Sequence, residues 1–204
     1  MFDQAYAQEQ LARRLNPFRS KVRRFYLDNL LRNLPGPTID IGCGAGQLLE
    51  RLPAGSIGTE VNLFLVEALQ DLGLCVLASS PDSPSLLSEE VKGLARQRGI
   101  SSVCLSHVLE HFADAELQLK NLVADCISLD IENIVIVVPG LKGYRSDPTH
   151  LTFITLEWLM ARSADCLWPY EITESCYYPL NHHLLGNLFI YNELVVRLQI
   201  SGLC

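Results

Sequence analysis

The sequence predicts an α/β domain: a doubly wound, mostly parallel seven-stranded sheet with helices on both faces and a C-terminal antiparallel hairpin. Three observations predict it. Short apolar, β-branched runs alternate with helix-length amphipathic stretches over the first two thirds of the chain, as in a parallel sheet with crossover helices. The first run, Thr38–Ile41, ends in the glycine turn Asp40-Ile41-Gly42-Cys43-Gly44-Ala45-Gly46. Beyond residue 165 two strand-like runs follow each other with no helix between, which makes one strand antiparallel. A chain of 204 residues suits one domain with a sizeable core rather than two. In that single domain, 1–34 are N-terminal helices, 35–140 the ligand-binding core, and 141–204 a loop, helix and β-hairpin on its far side.

Residues 2–34 read as helical because apolar side chains from Leu11 to Leu34 recur every three or four positions. Asn16-Pro17 divides them in two, since a residue before proline avoids the helical region. Arg13, Arg14, Arg19, Lys21, Arg23 and Arg24 form a basic patch, either a solvated face or a reach toward an anionic group. Pro35-Gly36-Pro37 stops the second helix. Gln47–Leu52 reads as the first turns of a helix after the glycine turn, with a break at Pro53-Ala54-Gly55. Ser56–Glu60 is the second strand, and Asn62–Leu72 an amphipathic helix stopped by Gly73. Leu74–Ala78 is the third strand. A turn-rich loop from Ser79 to Pro84 precedes a helix over Leu86–Arg98, stopped by Gly99.

Ser102–Ser106 is the fourth strand, with residues 107–111 at its tip. Ala113–Leu129 is a helix with Asp114 as cap. Asn133–Val138 is the fifth strand, almost wholly apolar as suits the middle of a parallel sheet. Leu141–Thr152 reads as a polar loop. Thr155–Arg162 is a helix capped by Thr155, with Leu156, Leu159 and Met160 inward. Tyr170–Tyr178 and Glu193–Ile200 are the last strands, joined by a loop carrying Asn181-His182-His183.

A net charge of −7 and a pI near 5.2 argue against nucleic-acid or anionic-membrane partners, which require basic surface. The N-terminus lacks a basic region before an apolar run, and Ile134–Pro139 is far too short to span a bilayer, so cytoplasmic residence is expected. Seven scattered cysteines without a C-x-x-C pair read as reduced and structural.

Ligands of such sheets bind beyond the carboxyl ends of the strands, here residues 42–46, 60–62, 79–82, 106–111 and 139–150. Glycines that take positive φ let a ligand lie against bare backbone. Glu60, twenty residues after Asp40, is placed to hydrogen-bond ribose hydroxyls of a nucleotide-like ligand.

The ordered set Asp40–Gly46, Glu60 and Ser106-His-Val-Leu-Glu-His-Phe-Ala-Asp114 resembles class I S-adenosylmethionine-dependent methyltransferases. The nearest likeness is to the small-molecule group that includes ubiquinone-pathway O-methyltransferases, and His150-Leu-Thr-Phe-Ile-Thr155 resembles a segment of the same group. The resemblance implies a Rossmann-like methyltransferase fold with S-adenosylmethionine as cofactor. It implies that Gly42, Cys43, Gly44 and Gly46 pack against the cofactor, that Asp40 supports the turn, and that Glu60, with Val61 beside it, takes the ribose. Ser79, Ser80 or Asp82 would face adenine, while Ser106, His107 and Leu109 would line the pocket. In the ubiquinone branch the position of His107 tends to be acidic and joins the following Glu-His in a metal site. A histidine stands there in this chain, so no metal is expected, and Glu110 and His111 also suit the polar start of a helix.

The expected activity is methyl transfer to a small-molecule acceptor, at oxygen. His150 and then His107 are the candidate bases, with a loop-stabilising hydrogen bond as the other role for His150. His182 and His183 lie in a loop able to help close over the acceptor, and Tyr144, Trp158 and Tyr178 are candidates to line its pocket. The alternatives are a methyltransferase-like cofactor-binding regulatory protein without turnover, and an NAD(P)-dependent oxidoreductase, which the glycine spacing disfavours. A homodimer is one assembly open to the chain.

Overall fold

The computed structural model describes residues 4–15, 26–81, 83–179, 181–182, 186 and 192–201. In chain order the elements are α1 (Gln4–Leu15), α2 (26–32), β1 (Thr38–Ile41), β2 (Ile57–Glu60), α3 (Leu63–Asp71), β3 (Val76–Ala78) and α4 (Glu89–Arg98). They continue as β4 (Ser102–Ser106), α5 (Ala115–Ser128), β5 (Asn133–Pro139), α6 (Leu141–Ser146), α7 (Leu156–Met160), β6 (Tyr170–Tyr178) and β7 (Glu193–Ile200).

The seven strands form one sheet in the order β3-β2-β1-β4-β5-β7-β6. The first five run parallel, and β7 is antiparallel to both β5 and β6. The doubly wound sheet with a terminal antiparallel hairpin is therefore the architecture found. The strand order reverses between β1 and β4, where Asp40 pairs with Cys104, and the loops leaving these two strands diverge to opposite faces. In open α/β sheets ligands lie beyond the strand tips at such a reversal, and this places the candidate site.

Period-two alternation divides the core. Val103, Leu105, Ile134, Ile136 and Val138 pack with α4, α5 and α7 on one face. Cys104, Val135 and Val137 pack on the other with Leu27 and Leu30 of α2 and Val66 and Leu69 of α3. Local chemistry sets the helix ends. Asn62, Ser88, Asp114 and Thr155 each cap a helix by accepting a backbone N–H, and Gly73 and Gly99 take positive φ just past their helices.

Five expectations need correction. The helix read over Leu86–Arg98 starts at Glu89, because Ser88 stands in extended backbone as its cap. Gln47–Leu52 is not the start of an α-helix; it makes one 3-10 turn, Leu49–Arg51. Leu52, before Pro53, is driven to extended backbone and ends it. The third strand starts at Val76, because the Leu74 N–H is spent on the Leu69 carbonyl in closing α3. The loop after β5 contains α6. The helix after Thr155 ends at Met160, whose side chain is exposed, and a π-turn over Ser163–Leu167 buries Cys166 and Leu167 instead. The division at Asn16-Pro17, the basic side chains from Arg13 to Arg24 and His183 lie outside the described residues.

Candidate active site

One half of the candidate site gathers at the tips of β1, β2 and β3. The glycines of the turn differ in what they face. A Cβ on Gly46 would fall 2.7 Å from a Leu69 methyl, and one on Gly42 2.7 Å from a methyl of Val108. Both glycines serve close packing of the chain against itself. Gly44, at φ 53°, has nothing among the described residues within 4 Å of a Cβ and is the open face of the turn. Its N–H donates to Glu60 Oε2 at 2.9 Å, while Glu60 Oε1 accepts from Asn62 N–H, also at 2.9 Å. The Cys43 thiol lies over Gly58, and burial, then the charges of Asp40 and Glu60, push its pKa well up. What Cys43 offers a ligand is backbone rather than sulfur.

Asp40 is buried in β1 and Val61 half-buried after β2. Ser79 donates its N–H to the Glu60 carbonyl at 2.9 Å. With the exposed Ser80 it borders a hollow of about 340 Å³ lined also by Ala78, Ser83, Ser85 and Ser88. Asp82 lies outside the described residues. Leu109 does not line the pocket by its side chain, which is 1% exposed and packed in the α4–α5 core. Its neighbour Val108, not singled out from sequence, lies against the glycine turn instead. Ser106 lies 3.1 Å from the Tyr26 hydroxyl of α2, and the Tyr26 ring tilts against Tyr178, so α2 and β6 wall this side. Tyr26 carried no recognisable motif.

The second half stands over the tips of β4 and β5. His107 holds a positive φ of 59°. Its Nδ1 is 3.1 Å from Glu110 Oε1 and its Nε2 3.0 Å from Glu193 Oε1. Burial disfavours the charged ring, but Glu193 and Glu110 outweigh it and raise the pKa to about 10. A protonated imidazole with both N–H groups engaged accepts no proton, so His107 is removed as a candidate base.

His150 is placed differently. Its Nδ1 lies 2.9 Å from the Tyr144 carbonyl, which can only accept, so Nδ1 carries a proton and, in the neutral ring, Nε2 is the nitrogen with the lone pair. That Nε2 lies 3.9 Å from Glu110 Oε1. The ring stacks on Tyr144 and meets His111 edge-on. The carbonyl of Tyr144, rather than the Asp147 carboxylate, therefore orients it. Asp147 instead accepts from both the N–H and hydroxyl of Thr149. Burial would raise the Asp147 pKa, but these bonds, helped by His150 and His111, hold it low. With its hydroxyl proton given to Asp147, Thr149 accepts from His111 Nδ1, again leaving Nε2 free. Trp158 stacks under Arg162 and packs against the core. His182 contributes a carbonyl to Asn192.

Glu110, His111 and His150 thus each offer a ligand atom, and these atoms lie within 4.8 Å of one another. Glu110 is fully buried, and its Oε2 has no hydrogen-bond partner among the described residues. Imidazoles that give their other N–H to a backbone or side-chain oxygen, beside one carboxylate, make a donor set suited to a divalent cation. Forty positions separate His150 from Glu110 in the chain, and nothing local in the sequence links them.

No family model and no curated protein matches the chain. Solved structures do. A S-adenosylmethionine-dependent methyltransferase of Archaeoglobus fulgidus is similar at TM-score 0.57 and 18% identity, over 88% of this chain and 93% of that one. Magnesium protoporphyrin IX methyltransferase of Synechocystis PCC 6803, with S-adenosylmethionine bound, is similar at 0.59 and 16%, over 95% and 91%. The methyltransferase domain of bacterial CtHen1-C is similar at 0.58 and 15%, over 87% and 96%. At such identities the likeness is one of fold. The chain has the fold of the class I S-adenosylmethionine-dependent methyltransferases.

Proposed function

We propose that the protein transfers a methyl group from S-adenosylmethionine to a hydroxyl oxygen of a small-molecule acceptor. The observation that carries this reading is the placing of Glu60 against Gly44 at the tips of β1 and β2, beside the reversal of strand order between β1 and β4. Glu60 would take the ribose hydroxyls, Gly42, Cys43, Gly44 and Gly46 the body of the cofactor along the turn, and Ser79 and Ser80 the adenine edge. Asp40, Val61 and Ser106 would support these contacts. The acidic chain disfavours a nucleic-acid acceptor.

When bound, S-adenosylmethionine supplies a methyl group on a sulfonium that departs as a neutral thioether. The residues over β4 and β5 hold the acceptor oxygen in line and exclude water. His150 Nε2, its lone pair fixed by the Tyr144 carbonyl, takes the hydroxyl proton. The test is S-adenosylhomocysteine formation from S-adenosylmethionine over a panel of hydroxylated small molecules. Saturable turnover supports the reading. Cofactor binding without turnover on any acceptor favours a binding protein of the same fold.

A second reading is favoured by the unpartnered Glu110 Oε2 and the matched tautomers of His111 and His150. Glu110, His111 and His150 would then hold a divalent cation, which would lower the pKa of the acceptor hydroxyl. In that case His150 is a ligand rather than a base.

A further inference from the structure

Glu60 joins three loops at once. Its carboxylate accepts from Gly44 in the turn after β1 and from Asn62, the cap of α3, each at 2.9 Å. Its carbonyl accepts from Ser79 in the loop after β3, also at 2.9 Å. The residue is 6% exposed, so these bonds form in a place that water screens little. A carboxylate offers about four acceptor positions, so the bonds from Gly44 and Asn62 leave room for two hydroxyl donors.

We propose that Glu60 is a positioning residue that holds the glycine turn in its binding shape before the cofactor arrives. This deepens the S-adenosylmethionine reading and rests on it for the identity of the ligand. The turn needs such a brace. Gly44 sits at positive φ with open space on its side-chain face, where glycine is otherwise the most mobile of residues. Neighbouring points are fixed independently: Cys43 N–H donates to the Thr59 carbonyl and Gly46 N–H to the Cys43 carbonyl, both at 2.9 Å. The Gly44 peptide between them is held by a side chain from another strand. Ordering of this peptide is thereby completed in folding rather than charged against cofactor binding.

Amide hydrogen exchange on the ligand-free chain tests this apart from any ribose contact. In Glu60→Ala, exchange at Gly44 and Asn62 should quicken about 10- to 100-fold, the range for loss of a hydrogen bond to a charged acceptor. Amides of β5 and α5 should keep wild-type protection. Glu60→Gln retains one accepting oxygen and should restore protection at one of the two amides, which keeps the test decisive should the alanine variant fold poorly. S-adenosylhomocysteine should bind Glu60→Gln with a less favourable entropy than wild type. Unchanged exchange at both amides in both variants overturns the brace, even where wild type binds S-adenosylhomocysteine. Quickened exchange in a wild-type background that binds no S-adenosylhomocysteine upholds the brace and rejects the ligand.

Discussion

His107 Nε2 lies 3.0 Å from Glu193 Oε1, tying the tip of β4 to the first residue of β7 across the end of β5. With Glu110 on its other nitrogen, the ring is a cation shared by two carboxylates. A pKa raised from 6.5 to about 10 in the folded chain means that folding favours the protonated form. The stabilisation is fully present below the unfolded value of 6.5 and is lost as pH rises through about 10. The melting temperature of wild type relative to His107→Gln should therefore fall between these limits and be level below them. A difference that stays constant with pH would remove the charge from this account.

His150 offers the free ring nitrogen nearest Glu110. Its replacement by Asn should lower kcat by about 10²- to 10⁴-fold, the usual share of a general base, with S-adenosylhomocysteine affinity changed by less than about twofold. Chelation separates the two roles. As a base, His150 works unchanged in excess EDTA. As a cation ligand, it fails there and recovers with added Co²⁺ or Mn²⁺, and His111→Asn then fails with it.

The turn glycines should part company on substitution. Gly46→Ala drives a methyl into Leu69 at positive φ and should cost about 2–4 kcal/mol of folding stability in denaturant melts. Gly44→Ala meets no atom and should cost only about 1–2 kcal/mol of backbone strain. Its methyl stands on the open face, so it should weaken S-adenosylhomocysteine binding by more than its stability cost suggests. Equal affinities for Gly44→Ala and wild type would move the cofactor off this face.

What was legible in the sequence is local. The bounds of β6 and β7 and the caps at Asp114 and Thr155 follow from alternation and from single polar residues before apolar periodicity. The glycine turn and Glu60 follow from their spacing along the connection from β1 to β2. The 3-10 turn at Leu49–Arg51 was masked because Leu48, Leu49 and Leu52 satisfy a helical spacing while Pro53 cuts the helix short. The second half of the site was not legible, since its contacts join residues far apart. His107 meets Glu193, and His150 meets His111 and Glu110, only because β5 carries its loop beside that of β4. The adjacent Glu110-His111 also suits the polar start of a helix, which in sequence is the simpler reading.

Calorimetric titration with S-adenosylhomocysteine tests the cofactor site most directly. Wild type should bind saturably with one site per chain, and Glu60→Ala should bind about 10- to 100-fold more weakly. The absence of heat at about 1 mM ligand, where even about −4 kcal/mol of binding free energy would give half-saturation, would contradict the account at its centre.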